Sequence, residues 1–315
     1  MLKKKNQYDA AAEKYKKAIQ CNPFNFQYHN NLGCVYLKTK NYRESVAAFL
    51  KSLKIAPDEP STHNSLGNVF KEMGNFNRAK EEYKTAIQLN PDNANVYNNL
   101  GIIYTHAEQF DNAIKEFNTV IRLDPKMASA YNNLGIAYAR KGNLENAIDA
   151  LNTAIALGFD GADVHNNLAG AYMTMGKMDN AINELYTVLE YDPKDSNTHC
   201  NLGIAYMSKE DVDKAISEFE EAIKNNANDA DFYYYLGNAL LEKQLYGKAV
   251  DAFIRSIEIN PGNPSAHKTV DIVYANYLNN PSKALFHLKE TLRLSPNQPM
   301  AREIEEAVFK LSNGL

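Results

Sequence analysis

The sequence predicts an all-α solenoid of antiparallel helix pairs, and three observations lead there. The first is a phrase that recurs every 34 residues. Tyr131-Asn132-Asn133-Leu134-Gly135 returns as Tyr97-Asn98-Asn99-Leu100-Gly101, His63-Asn64-Ser65-Leu66-Gly67 and His29-Asn30-Asn31-Leu32-Gly33 on one side. On the other it returns as His165-Asn166-Asn167-Leu168-Ala169 and His199-Cys200-Asn201-Leu202-Gly203. A fixed period of this length marks a repeat architecture whose core grows unit by unit. The second is a pair of apolar stripes at helical spacing in each unit. In the fourth unit these are Ala130, Leu134, Ala137 and Tyr138, then Ala147, Ile148, Leu151, Ala154 and Ile155. The third is the Asn/Asp-Pro step that closes many units (Asn90-Pro91, Asp124-Pro125, Asp192-Pro193, Asn260-Pro261). Proline cannot continue a helix, and it pushes the residue before it out of helical geometry.

Taken in order, residues 1–25 form a partial repeat, mainly a second helix (helix B), with Tyr8, Ala11, Tyr15, Ala18 and Pro23 as its signature. Residues 1–5 fall where the last turn of a first helix (helix A) belongs. The chain thus begins partway through a repeat, as a fragment, a misassigned start, or a protein that self-associates through an open N-terminal face. Eight units follow over 26–298, starting at about Phe26, Pro60, Ala94, Ala128, Ala162, Ser196, Ala230 and Pro264. In the fourth, helix A runs roughly from Ser129 to Lys141, Gly142-Asn143 breaks it, and helix B runs from about Leu144 to Leu157. The eighth is degenerate: an extra residue lies near Asn279-Asn280-Pro281, and Asp271 replaces the repeat's glycine. Residues 299–315 read as a capping helix, with Ala301, Ile304, Val308 and Leu311 on its apolar side.

These residues resemble the tetratricopeptide repeat. The pattern is Leu-Gly, an aromatic three residues later, then Ala, Phe/Tyr, Ala and Pro. In the second unit it reads Leu66, Gly67, Phe70, Ala79, Tyr83, Ala86 and Pro91. In the sixth it reads Leu202, Gly203, Tyr206, Ala215, Phe219 and Ala222, with Ala227 in place of Pro. Eight units in phase cover nearly the whole chain. The resemblance implies a right-handed superhelical α-solenoid, with helices A lining a concave groove that holds protein partners.

Composition excludes several function classes. The chain has 315 residues, 44% hydrophobic residues and a formal charge of −4, so nucleic acid is not the expected partner. The charge is uneven: residues 1–57 hold 11 Lys/Arg against 3 Asp/Glu, a formal +8, which leaves −12 for the remainder. Cys21, Cys34 and Cys200 form no CxxC pair and fit a reducing compartment. No apolar run approaches the ~20 residues of a membrane span. The polar Asn6-Gln7-Tyr8 after the N-terminal lysines is unlike a signal peptide, so a cytoplasmic protein is expected.

No nucleotide, metalloprotease or hydrolase motif is present, and the expectation is a non-enzyme without cofactor or metal. Five of the seven histidines (His29, His63, His165, His199, His267) share one repeat position with Tyr97, Tyr131 and Tyr233. That position reads as an aromatic packing slot. Neighbouring units place these residues ~10 Å apart, too far to share one zinc ion.

The resemblance places groove contacts on exposed positions of helices A. One line is Asn31, Ser65, Asn99, Asn133, Asn167 and Asn201, ending at Tyr235 and Thr269; beside it run Asn30, Asn64, Asn98, Asn132 and Asn166. A side-chain amide both donates and accepts, so it can pair with a peptide unit. Steps of ~10 Å match about three residues of extended chain at ~3.3 Å each. The arrangement is similar to the asparagine ladder of O-linked N-acetylglucosamine transferases, although no residues remain for a glycosyltransferase domain. The other reading of these Asn is structural, joining adjacent helices A. Met173, Met207, Tyr234 and Tyr235 add an adaptable apolar stretch to the later units, where inter-repeat packing is the alternative. Asn30, Asn64 and Asn98 stand where a chaperone-binding carboxylate clamp needs its first Lys. The basic candidates Lys38, Lys71, Arg140 and Lys268 are scattered. The expected function is therefore a scaffold binding an extended peptide. The alternatives are the substrate-binding arm of a larger enzyme, or a self-assembling scaffold.

Overall fold

The computed structural model describes residues 2–278 and 280–294, and the regular structure among them is helical throughout. Seventeen helices lie within these residues, in two compact units divided after Asp160. The N-terminal unit holds α1 (Leu2–Cys21), α2 (Phe26–Lys38), α3 (Tyr42–Ile55), α4 (Pro60–Glu72), α5 (Phe76–Leu89), α6 (Ala94–His106), α7 (Phe110–Leu123), α8 (Ala128–Lys141) and α9 (Leu144–Ala156). The C-terminal unit holds α10 (Ala162–Thr174), α11 (Met178–Tyr191), α12 (Ser196–Ser208), α13 (Val212–Asn225), α14 (Ala230–Glu242), α15 (Tyr246–Ile259), α16 (Pro264–Asn276) and α17 (Pro281–Leu294). From α2 onward, even-numbered helices are A and odd-numbered helices are B. Within each unit every A helix packs along its own B helix, and that B helix meets the next A helix. The chain is an all-α solenoid of helix pairs. Residues 2–5, expected as the end of a helix A, run without a break into α1. The capping helix expected over 299–315 lies outside the described residues. No helix among the described residues is long and apolar enough to cross a membrane.

Local chemistry explains the boundaries. The Asn or Asp ahead of a Pro that follows a helix B accepts from the backbone N–H two residues on, as Asn90 does from Asp92 (3.2 Å) and Asp192 from Lys194 (3.1 Å). This turn replaces the lost helical bond. A second polar residue then caps the following A helix: Asn93 accepts from the N–H of Asn95, and Asn263 from Ser265 and Ala266. The A-to-B turn needs one residue in the left-handed region. Gly74, Gly142 and Gly176 supply it in three units, but Lys40, Glu108, Glu210 and Gln244 hold the same conformation without being glycine. Such a residue costs about 1–2 kcal/mol, against roughly 0.5–1 kcal/mol for the extra unfolded-state entropy of glycine. Glu108→Gly is therefore expected to raise the thermal midpoint by about 1–3 °C, measured by circular dichroism.

The core forms where each A helix lies on its B helix. The repeat glycine is the contact point: a Cβ on Gly33 would lie 2.7 Å from the Phe49 ring, and one on Gly101 2.6 Å from Phe117. Phe49, Tyr83, Phe117, Phe219 and Phe253 are fully or almost fully buried there. In the fifth pair Ala169 replaces glycine and sits in one cluster with the smaller Leu185. Apolar residues of neighbouring pairs, such as Val96 and Leu100 beside Tyr83 and Ala86, close the core between units. In the last pair the glycine position carries Asp271, buried within the helix contact.

Candidate functional site

The asparagines expected to face the groove are brought together in the N-terminal unit, where α4, α6 and α8 touch in sequence. The repeat phrase puts each Asn pair just ahead of the buried Leu-Gly, so the register of the core fixes where the amides stand. Asn99 Nδ2 donates to Asn64 Oδ1 at 3.2 Å and to Asn68 Oδ1 at 3.1 Å. Asn133 Nδ2 donates to Asn98 Oδ1 at 3.0 Å. Each bond joins one A helix to the next, so the two lines of asparagine are cross-linked rungs. Toward the N-terminus, Thr62 Oγ1 donates to Asn30 Oδ1 at 3.3 Å, while Asn31 is exposed. Asn64, Asn98, Asn99 and Asn133 are half-buried. Asn132 is buried, which corrects its placement among exposed groove residues.

These bonds occupy one end of each amide. Among the described residues, the Nδ2 groups of Asn64 and Asn98 and the Oδ1 atoms of Asn99 and Asn133 remain for other partners. A donor and an acceptor therefore stand on each rung, held by the bond between them. Sequence reasoning missed Asn68, which also accepts from the Tyr83 hydroxyl at 2.8 Å. Its signal was the Asn64-x-x-x-Asn68 spacing, which puts both amides on one helix face.

In the C-terminal unit Asn166 is exposed, and Asn167 and Asn201 are half-buried. Met173, Met207 and Tyr235 pack against the cluster around Phe219, and Tyr234 against the cluster around Phe253. Tyr235 stacks on Phe219 with centroids 5.9 Å apart, and Tyr234 meets Tyr235 edge-on at 6.0 Å. Burial pushes the Tyr235 hydroxyl up from its ordinary range. These side chains therefore serve the core while keeping part of their surface open.

The histidine position does more than fill an aromatic slot. His63 Nδ1 lies 2.7 Å from Glu82 Oε2 and its Nε2 lies 2.9 Å from the Pro57 carbonyl. His199 repeats this with Glu218 (2.7 Å) and the Pro193 carbonyl (3.3 Å), and His165 pairs with Glu184 at 2.6 Å. Each ring joins helix A to its own helix B, and His63 and His199 also bond the loop before helix A. The signal was a Glu 19 residues after the His. Where Tyr97 stands instead, burial pushes the Glu116 carboxyl up. In the last pair His267 meets His287, with Nδ1 atoms 3.0 Å apart.

With this geometry in place, comparison with known proteins gives a consistent result. The family described as "Cilia and flagella-associated protein 70 C-terminal domain", of tetratricopeptide-repeat type, matches residues 1–234, and a single tetratricopeptide repeat matches residues 218–251. None of the curated proteins compared with the chain matches it. Among solved structures, the C-terminal part of a tetratricopeptide-repeat protein from Cytophaga hutchinsonii is 19% identical with a TM-score of 0.63. That likeness covers 76% of this chain and 97% of the other. The Cut9–Hcn1 hetero-tetramer of the APC/C is 22% identical with a TM-score of 0.57, over 94% of this chain and 58% of that one. The chain thus spans little more than half of that relative. YrrB, described as a repeat protein with an unusual peptide-binding site, is 22% identical with a TM-score of 0.51, over 59% of this chain and 96% of its own. At these identities the likeness is one of fold.

Proposed function

We propose that this chain, which belongs to the tetratricopeptide-repeat family described as the cilia and flagella-associated protein 70 C-terminal domain, is a non-catalytic scaffold holding an extended peptide along its A helices. Arrays of this kind expose a continuous surface suited to elongated partners. The observation that carries the reading is the cross-linked asparagine rung. Asn99 bonded to Asn64, and Asn133 bonded to Asn98, leave a donor and an acceptor side by side on successive A helices. A peptide unit offers the complementary pair, and the ~10 Å step between helices suits a contact at about every third residue. Preformed rungs lose little side-chain entropy when the peptide arrives. Met173, Met207, Tyr234 and Tyr235 supply an adaptable apolar surface for partner side chains.

Asn31, Asn166, Asn167 and Asn201 extend the proposed site within their own units. The peptide-binding site named for YrrB is of the same ligand class. Replacing Asn99, Asn133 and Asn167 by Ala tests the reading. Peptide capture should fall at least tenfold while the helical circular dichroism signal stays intact. Undiminished capture would remove the asparagines from the site.

A further inference from the structure

Within the N-terminal unit, a pocket of about 250 Å³ opens beside the Asn133 rung. Ile102, Thr105 and His106 of α6 line one side, Asn133, Ile136 and Arg140 of α8 the other, and the Phe117 ring completes the lining. Asn133, Ile136 and Arg140 follow one another at helical spacing on one face, so the pocket is continuous with the rung. Its volume is below the roughly 300–1,000 Å³ of small-molecule sites, and it suits one long side chain instead.

The chemistry of the pocket is one-sided. Arg140 is exposed and makes no ion pair among the described residues, whereas the adjacent Lys141 is held by Asp111 at 2.5 Å. The Thr105 hydroxyl donates to its own helix at the Gly101 carbonyl (3.0 Å), and one Asn133 hydrogen is taken by Asn98. The His106 ring, stacked on Phe76 with centroids 5.3 Å apart, also borders the pocket, but the guanidinium, with five N–H donors and a fixed charge, is the group best fitted to hold an anionic ligand. The position of Arg140 is held by Glu72 in the second repeat and Thr174 in the fifth, while its equivalent in the third, His106, faces Arg140 across this pocket.

We propose that this pocket reads an acidic side chain of the bound peptide. A glutamate would lay its methylenes between Ile102 and Ile136 and pair its carboxylate with Arg140. The proposal rests on the peptide-binding reading above: the rungs hold the backbone, and this pocket selects what hangs from it.

The test is selection of random dodecapeptides displayed against the full chain, followed by affinity measurements on the selected peptides. Selected peptides are expected to be enriched in Glu at one position. Changing that Glu to Gln should weaken binding about tenfold on the unaltered chain and less than twofold on Arg140→Gln. Selection on Arg140→Glu should replace the acidic preference with Lys or Arg. The same acidic preference on Arg140→Glu, or an equal Glu-to-Gln loss on both chains, would overturn the pocket. If those peptides still depend on Asn99 and Asn133, the groove reading stands without it. Failure of any peptide to emerge from any selection would overturn both.

Discussion

Gly101→Ala lowers the urea midpoint of unfolding, at a cost of about 1–3 kcal/mol, because the new methyl group collides with the Phe117 ring. Its Cβ would lie 2.6 Å from Phe117 Cε1, far inside van der Waals contact, so the buried ring must be pushed toward the pocket it lines or α6 must shift. Moving α6 away from α7 would also stretch the bonds from Asn99 to α4. The loss should be partly recovered in Gly101→Ala/Phe117→Leu once the pair adopts the spacing of the fifth repeat, since at the spacing of the fourth a Cβ on Gly135 would still lie 2.6 Å from Leu151 Cγ. The fifth repeat uses that combination, with Ala169 and Leu185 in one buried cluster. Phe117→Leu alone should destabilise, so the two substitutions must be non-additive. Chemical unfolding of the full chain and the three variants, followed at 222 nm, checks this. A Gly101→Ala midpoint equal to the parent's would contradict the packing account.

Asp271→Asn stabilises the last helix pair, and more so at pH 8 than at pH 4. The carboxyl occupies the place of the glycine in the A–B contact, where Oδ2 has no hydrogen-bond partner among the described residues. Burial pushes its pKa up to about 7, with Lys268 opposing the shift. A folded-state pKa above the unfolded value of 3.8 means that the protonated acid favours folding. That contribution is complete below pH 3.8 and is lost as pH rises through about 7. Asparagine has no charge to develop and removes the slope. His287 acts in the opposite sense. Burial, then its neighbour His267, push it down to about 4, so its contribution is present above the ordinary value of 6.5 and lost as pH falls through 4. In Asp271→Asn the stability of α16 and α17 should then decline steadily on acidification. Amide exchange in these two helices, measured at pH 4, 6 and 8, reads the effect locally. A gain of equal size at pH 4 and pH 8 would contradict the titration account.

The fold was legible because its determinants repeat. A glycine opposite an aromatic, an Asx-Pro stop and an apolar stripe each recur in phase, so no single ambiguous residue decides the register. The helices A starting at Phe26, Pro60 and Ala94 follow from that punctuation. The candidate site was legible only as a set of positions. Spacing placed Asn64, Asn98, Asn99 and Asn133 on one surface, but the bonds between them depend on rotamers and on the distance between helices. That is why Asn68 went unseen and Asn132 was expected to be exposed. The His63–Glu82 pair was hidden for a similar reason. Its 19-residue spacing acquires meaning only once helix B folds back along helix A.

The central claim, that amides on the A helices hold a peptide backbone, is tested most directly by Asn64→Asp/Asn98→Asp. In this variant the carboxylate oxygens still accept from Asn99 and Asn133, so the bonds joining α4, α6 and α8 survive. The two outward Nδ2 donors are lost and replaced by acceptors that repel a peptide carbonyl. Calorimetric titration with a dodecapeptide selected on the unaltered chain is expected to show at least tenfold weaker binding with a thermal midpoint little changed. Equal affinity for the two proteins would contradict it, leaving the asparagines as links between helices and nothing more.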